Sequence, residues 1–186
     1  MRSLGKYVLA VCLVAVAARV SAAVPGTSVP QSAQTLAVVL VGAFLGTRDG
    51  ALALAFYLLA GGVGLPVFAD GASGWPHLAG PTGGYLVGFV LAAGMVGWFA
   101  DGGRLARLRT ALVAMTLGHV LVLALGWLRL AWSLGPSEAF AAGVAPFLSG
   151  GLAKSIVAAV VVSAWTRRRS GASSSSGGDR SRPEKR

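Results

Sequence analysis

The run ARLRTALVAMTLGHVLVLALGWLRLAW, from Ala106 to Trp132, decides the fold class, because between Arg109 and Arg129 it holds no Asp, Glu, Lys or Arg. A helix that crosses a bilayer needs about 20 predominantly apolar residues, and this stretch supplies them. Working outward, five more apolar segments are predicted: Lys6–Ala22, Gln34–Leu45, Ala51–Leu65, Tyr85–Ala100 and Ser149–Trp165. The second and third are short for a full crossing, which predicts tilt, bending or partial re-entry. The composition agrees. Hydrophobic residues make up 55% of the 186 and charged residues only 12%, with mean hydropathy +0.71. A soluble domain carries about 25% charged residues to keep its surface wet, so most of this chain's outer surface is expected to face lipid.

The net charge of +10 would suggest nucleic acid if the basic residues formed one folded stripe. They do not. Seven of the sixteen follow Ala164, and most of the others lie between apolar segments. Arg2 and Lys6, then Arg48, then Arg104, Arg107 and Arg109, and finally the tail occupy alternate gaps. The intervening gaps hold no Lys or Arg: 24–33 is uncharged, 66–84 holds Asp70 and His77, and 133–148 holds Glu138. Positively charged loops stay inside, which predicts that both termini are cytoplasmic. Arg2, Lys6 and the small residues at 20–23 also fit a cleavable signal peptide, but Arg19 interrupts the place where its cleavage region should be bland, which favours retention. Residues 1–166 are therefore expected to form one membrane domain, and 167–186 a basic tail whose Ser, Gly and Arg content reads as disordered.

Small residues recur four apart: Gly42 and Gly46, Gly80 and Gly84, Gly84 and Gly88, and Ala18 and Ala22. Such pairs let helix backbones approach closely in lipid, and Ala18 and Ala22 are candidates for a partner interface. Cys12 is the single cysteine, which excludes an internal disulfide, and two distant histidines make a structural metal site unlikely, so no cofactor or metal is expected. Gly150–Ser155 ends like a phosphate-binding loop, but position 153 is Ala and the preceding spacing is wrong, so ATP should not bind. His119 lies in mid-helix without a Cys, Asp or Glu at a helical neighbour position, so it reads as a buried, hydrogen-bonded histidine. Membrane carboxylate pairs for a proton relay are missing, which argues against a proton-coupled carrier, and without a credible nucleophile–base pair an enzyme is not expected.

The chemistry concentrates toward one end. Lys154 follows Ser149 by five residues; with Ser149 as a helix cap it would sit about 7–8 Å below the outer surface. An ammonium there needs a polar cavity and a partner, which would be Asp70, Glu138 or an anionic ligand. Arg129, beside Trp127 and Trp132, reads as an interfacial anchor, as does Arg19. Gln34 and Thr35 open the second segment near the same end. An amide both donates and accepts, which suits a ligand with a urea or carboxamide group. The Gly- and Pro-rich stretch 66–84 reads as a binding loop or lid, with Phe68, Trp75 and Tyr85 as flat walls.

The residues Tyr57–Phe68 (YLLAGGVGLPVF), followed by Gly80–Phe89 (GPTGGYLVGF), strongly resemble the biotin transporter family BioY, whose members are substrate-capture (S) components of energy-coupling factor importers. Val29-Pro30, Gln34–Val38 and Gly126–Leu128 match further parts of its pattern, so the likeness covers about residues 28–155. The resemblance implies an all-α, six-helix S-component bundle that holds biotin near the outer face. It also implies a transmembrane coupling (T) subunit and ABC-type ATPase subunits as partners, though some members are thought to act alone. Biotin's carboxylate would meet Lys154. Its ureido ring would meet Gln34, Thr82 and backbone groups of the loop around Gly83 and Gly84, with Thr35 nearby and Phe68, Tyr85 or Trp75 against the thiophane ring. One departure stands out: family members carry Gly-Asp-x-x-Lys at the start of the last helix, and here the acidic position is Gly151. Other readings are an S component for a different vitamin and a membrane scaffold that transports nothing.

Overall fold

The structure is a computed structural model that describes residues 2–22, 24, 29 and 31–175. Its long helices are α1 (Arg2–Arg19), α2 (Gln34–Gly62), α4 (Gly83–Asp101), α5 (Leu108–Leu134) and α7 (Leu148–Ser175). Two short helices, α3 (Trp75–Ala79) and α6 (Pro136–Gly143), lie in the loops. A two-stranded antiparallel ribbon, β1 (Ser21–Ala22) with β2 (Gln31–Ser32), pairs Ser21 with Ser32 and links α1 to α2. Four helical stretches are long and apolar enough to cross a membrane: Gln34–Gly62, Gly83–Asp101, Leu108–Leu134 and Pro136–Arg169.

The α2 stretch is two antiparallel arms. The break is Gly46, at φ 84° and ψ −178°, a region essentially reserved for glycine. A straight helix would hold Gly42 and Gly50 about 12 Å apart, yet a methyl group on Gly50 would lie 3.0 Å from the Gly42 Cα. The arms, 34–45 and 47–62, are about 18 and 24 Å long at 1.5 Å per residue. They correspond to the two short segments predicted from sequence, and they bring the bundle to six helices. The Thr47 N–H, freed by the break, donates to Asp101 Oδ2 at 2.9 Å, so the end of α4 caps the second arm.

α1 packs on α2, α4 lies between α2 and α5, and α5 lies between α4 and α7. Glycines set the closeness of these contacts. A methyl group on Gly42 would lie 2.4 Å from the Ala93 carbonyl oxygen, and one on Gly84 2.3 Å from that of Leu125. Apolar side chains in lipid gain little by meeting each other, so close backbone packing carries the association. Leu9, Val16, Phe56, Leu91 and Val160 point outward, while Val38, Leu54, Tyr57, Ala92 and Val122 fill the interior.

The start of α1, the Gly46 turn and the α4–α5 junction gather at one end. There Lys6 pairs with Asp49, which also accepts from the Tyr7 hydroxyl at 2.6 Å. Arg104 covers the Trp98 ring at 4.2 Å. The alternation of basic gaps in the sequence thus corresponds to one basic end of the bundle.

Four sequence expectations change. The loops 66–84 and 133–148 have structure of their own, α3 and α6, each opened by a proline in its first turn. Ser149 is not a cap, because α7 begins at Leu148. Residues 167–175, assigned by composition to a disordered tail, continue α7. Arg169 lies over Trp165 at 4.1 Å and the Arg167 Nε donates to the Ser163 carbonyl. Residues 176–186 lie outside the described residues. Finally, Ala18 is fully buried within the chain, which leaves it no surface for a partner, and Ala22 lies in β1 rather than on a helix.

Candidate ligand-binding site

At the end opposite the basic one, a cavity of about 220 Å³ lies between the first turn of α2, the adjoining halves of α4, α5 and α7, and the loop 68–82. A larger hollow of about 310 Å³ on the outer side of α5 is lined only by apolar residues such as Val120, Trp127 and Leu148, and offers nothing to orient a polar ligand.

The local fold explains who lines the first cavity. Arg19 and Arg129, predicted as interfacial anchors, instead tie the loop down: Arg19 donates to the Pro66 carbonyl and Arg129 to that of Ala79. Phe68 is thereby driven fully inside, edge-on to Tyr57 at 5.5 Å and stacked on His77 at 5.2 Å. The Tyr57 hydroxyl donates to the Val67 carbonyl at 2.9 Å and accepts from Gln34 Nε2 at 2.6 Å. Across the cavity the Tyr85 hydroxyl donates to the Gly143 carbonyl at 2.7 Å, locking α4 to α6.

Six of the nine expected site residues share this cavity: Lys154, Gln34, Thr35, Phe68, Thr82 and Tyr85. Three do not. Trp75 is 61% exposed, held outside by the short helix that carries it. Gly83 and Gly84 are packing positions, backed by the Leu78 and Leu125 carbonyls. Gln34 contributes differently from expectation, since its amide is engaged at both ends, with Tyr57 and with the Ser32 hydroxyl at 3.0 Å. Sequence reasoning missed His77 and His119 as lining groups. The His77 signal was available, because it sits inside the loop already singled out.

Lys154 is the electrostatic centre. Its Nζ donates to the Ser32 carbonyl and lies 3.4 Å from Thr35 Oγ1. Neither acidic residue proposed as its partner reaches it. Asp70 accepts from the Ser21 hydroxyl at 2.6 Å, and Glu138 is exposed on α6. Among the described residues Lys6 with Asp49 is the only ion pair. The ammonium's direct partners are therefore neutral dipoles, with the Asp70 carboxylate lining the same cavity without pairing to it, and such a site favours a ligand that brings a strong acceptor oxygen.

His77 makes the covering loop sensitive to acid. Its Nε2 lies 3.2 Å from Thr82 Oγ1, and burial pushes its pKa below the usual imidazole value. The unfolded chain takes up this proton near pH 6.5, the folded chain only at lower pH. Stability is therefore complete above about 6.5 and lost as pH falls toward the folded value. The melting temperature of the purified protein is expected to drop between about pH 7 and pH 5, and His77→Gln should flatten that drop. An unchanged pH profile in the variant would remove His77 as its source.

Six helices around a largely apolar cavity that holds one cation and a few polar groups define a membrane protein that can bind a small amphipathic molecule. Comparison makes the class specific. The BioY family model matches residues 1–171, and the chain belongs to the BioY family. It is 36% identical to the biotin transporter BioY of Thermotoga maritima, over 87% of this chain and 94% of that one. It is 33% identical to the probable biotin transporter BioY of Pyrococcus horikoshii, over 82% and 89%. The crystal structure of the S-component for biotin from an ECF-type ABC transporter superposes with a TM-score of 0.79, covering 91% of both chains at 19% identity, which shows the shared fold. The protein is a multi-pass protein of the cell membrane.

Proposed function

We propose that this chain captures biotin at the outer face of the cell membrane and takes it inward as the S component of an energy-coupling factor transporter. Family membership supports the substrate, and the observation that carries the reading is the unpaired Lys154 ammonium inside a cavity walled by Phe68, Tyr85 and the loop. The ammonium gives positive potential to an anionic vitamin and a donor to one of its oxygens, while the aromatic rings face its apolar part. The basic end of the bundle is cytoplasmic in this reading, with both termini on that side and the cavity opening outward. It is a binding protein, not an enzyme. Gly150–Ser155, the stretch that resembles a phosphate loop, is regular helix in α7, which supports no nucleotide site there; in this reading a transmembrane coupling subunit and ABC-type ATPases supply the energy, unless the chain works alone.

Titration of the detergent-purified chain with biotin tests the proposal. A ligand that binds only the folded state adds about 2.7 kcal/mol of stability at a hundred times its Kd, so a melting temperature that rises with the logarithm of biotin concentration is expected. No rise with biotin but a rise with another vitamin would reassign the substrate. No concentration-dependent rise with any of a vitamin panel would favour a scaffold.

A further inference from the structure

We propose that His119 contacts the ligand as a hydrogen-bond acceptor, taking an N–H of biotin's ureido ring on its Nε2; the assignment rests on the biotin reading above. His119 projects from the middle of α5 and is only 5% exposed, yet it lines the cavity. Its Nδ1 lies 2.9 Å from the Met115 carbonyl, which can only accept, so Nδ1 carries the hydrogen. The neutral ring then presents Nε2 as a lone pair. Ser155 fixes the same edge: its Oγ lies 3.0 Å from Nδ1 and donates to the Gly151 carbonyl at 2.8 Å. The ring is held from one side, and nothing holds the other. Among the described residues, Nε2 is the only buried side-chain nitrogen or oxygen without a hydrogen-bond partner. Buried polar atoms are rarely left so, because each forfeits its hydration without return.

Nε2 is covered in the empty protein, but the packing beside that edge is loose. A methyl group on Gly151 would meet only His119 Cβ and Cδ2, both at 3.9 Å, and Cδ2 is bonded to Nε2. Helix α7 thus brings bare backbone to the ring where a larger residue could fill the gap. One turn further along, Lys154 lines the same cavity. A lone-pair acceptor on α5 and an ammonium donor on α7, both lining one cavity, match a cyclic urea, whose N–H donors flank a carbonyl oxygen. Only the ureido ring of biotin carries N–H groups, so that ring lies at the α5–α7 side of the cavity, with Lys154 donating to its carbonyl oxygen. Gln34, predicted from sequence to meet it, is already engaged, and Lys154, predicted to meet the carboxylate, meets the ureido oxygen instead.

The test uses His119→Asn, whose amide N–H keeps the bond to Met115 while the Nε2 edge is deleted. Calorimetric titration of the full chain in detergent is expected to show biotin affinity about tenfold lower in the variant. Wild type should also bind at least one of the two biotins methylated on a single ureido nitrogen about tenfold more weakly than biotin, and this discrimination should largely vanish in His119→Asn. Adding Gly151→Asp, which places a carboxylate beside the vacated edge, should recover biotin binding. If the variant fails to fold, 15N NMR of histidine-labelled wild type reads the same contact: the Nε2 resonance of His119 moves when biotin is added. Equal biotin affinity in wild type and variant, or an unmoved Nε2 resonance, overturns the assignment. Wild type that binds no biotin overturns the underlying reading and takes this one with it.

Discussion

Lys154→Ala is expected to lower biotin affinity by about tenfold or more, a loss of about 1.4 kcal/mol, while the empty protein melts no lower than wild type. The two halves of this result come from one fact. In the empty protein the ammonium is satisfied only by the Ser32 carbonyl and Thr35 hydroxyl, so removing it deletes two hydrogen bonds but also relieves the burial of an unpaired charge. In the complex it makes a charge-assisted hydrogen bond, worth about 1.5–3 kcal/mol, to an oxygen of the ligand. The charge therefore matters more to the complex than to the fold. Lys154→Arg should not restore full affinity, because a planar guanidinium cannot replace a compact ammonium between Ser32 and Thr35. Calorimetry reads the affinity and a melting curve the fold; unchanged biotin affinity in Lys154→Ala would remove Lys154 from the site.

Gly46→Ala should have the largest effect on stability. At φ 84° and ψ −178° an alanine costs about 1–3 kcal/mol in backbone strain alone. Its methyl group would also lie 2.3 Å from Asp101 Oδ1 and push away the carboxylate that caps Thr47, a loss of about 1 kcal/mol. Asp101→Ala loses only the cap, so the melting temperatures should fall in the order wild type, Asp101→Ala, Gly46→Ala. Because Tyr57, on the opposite arm of this hairpin, holds the site-lining Gln34 in place, Gly46→Ala should weaken biotin binding as well. A Gly46→Ala protein as stable as wild type would mean that the hairpin does not depend on glycine at its turn.

The helices were legible because crossing a bilayer leaves a strong imprint: long uncharged runs, with basic residues in alternate gaps. The hairpin was readable as two short segments around Gly46, but its sharpness was not, since glycine four residues after Gly42 reads equally as packing. Short helices α3 and α6 escaped because five to eight residues carry too little periodicity. Within the site, Lys154 stood out because an isolated cation in an apolar segment demands a reason. Trp75 was misplaced because an aromatic in a loop can face either way, and only the path of α3 decides. His119 looked inert because both groups that hold it, a carbonyl one turn back and Ser155 on another helix, carry no pattern in sequence.

The most direct measurement is a structure of the detergent-purified chain with biotin bound. The account predicts ligand density between α4, α5 and α7 beneath the 68–82 loop, with Lys154 Nζ in hydrogen-bond contact. Density elsewhere, or a Lys154 side chain turned out toward the lipid with this cavity empty, would contradict it.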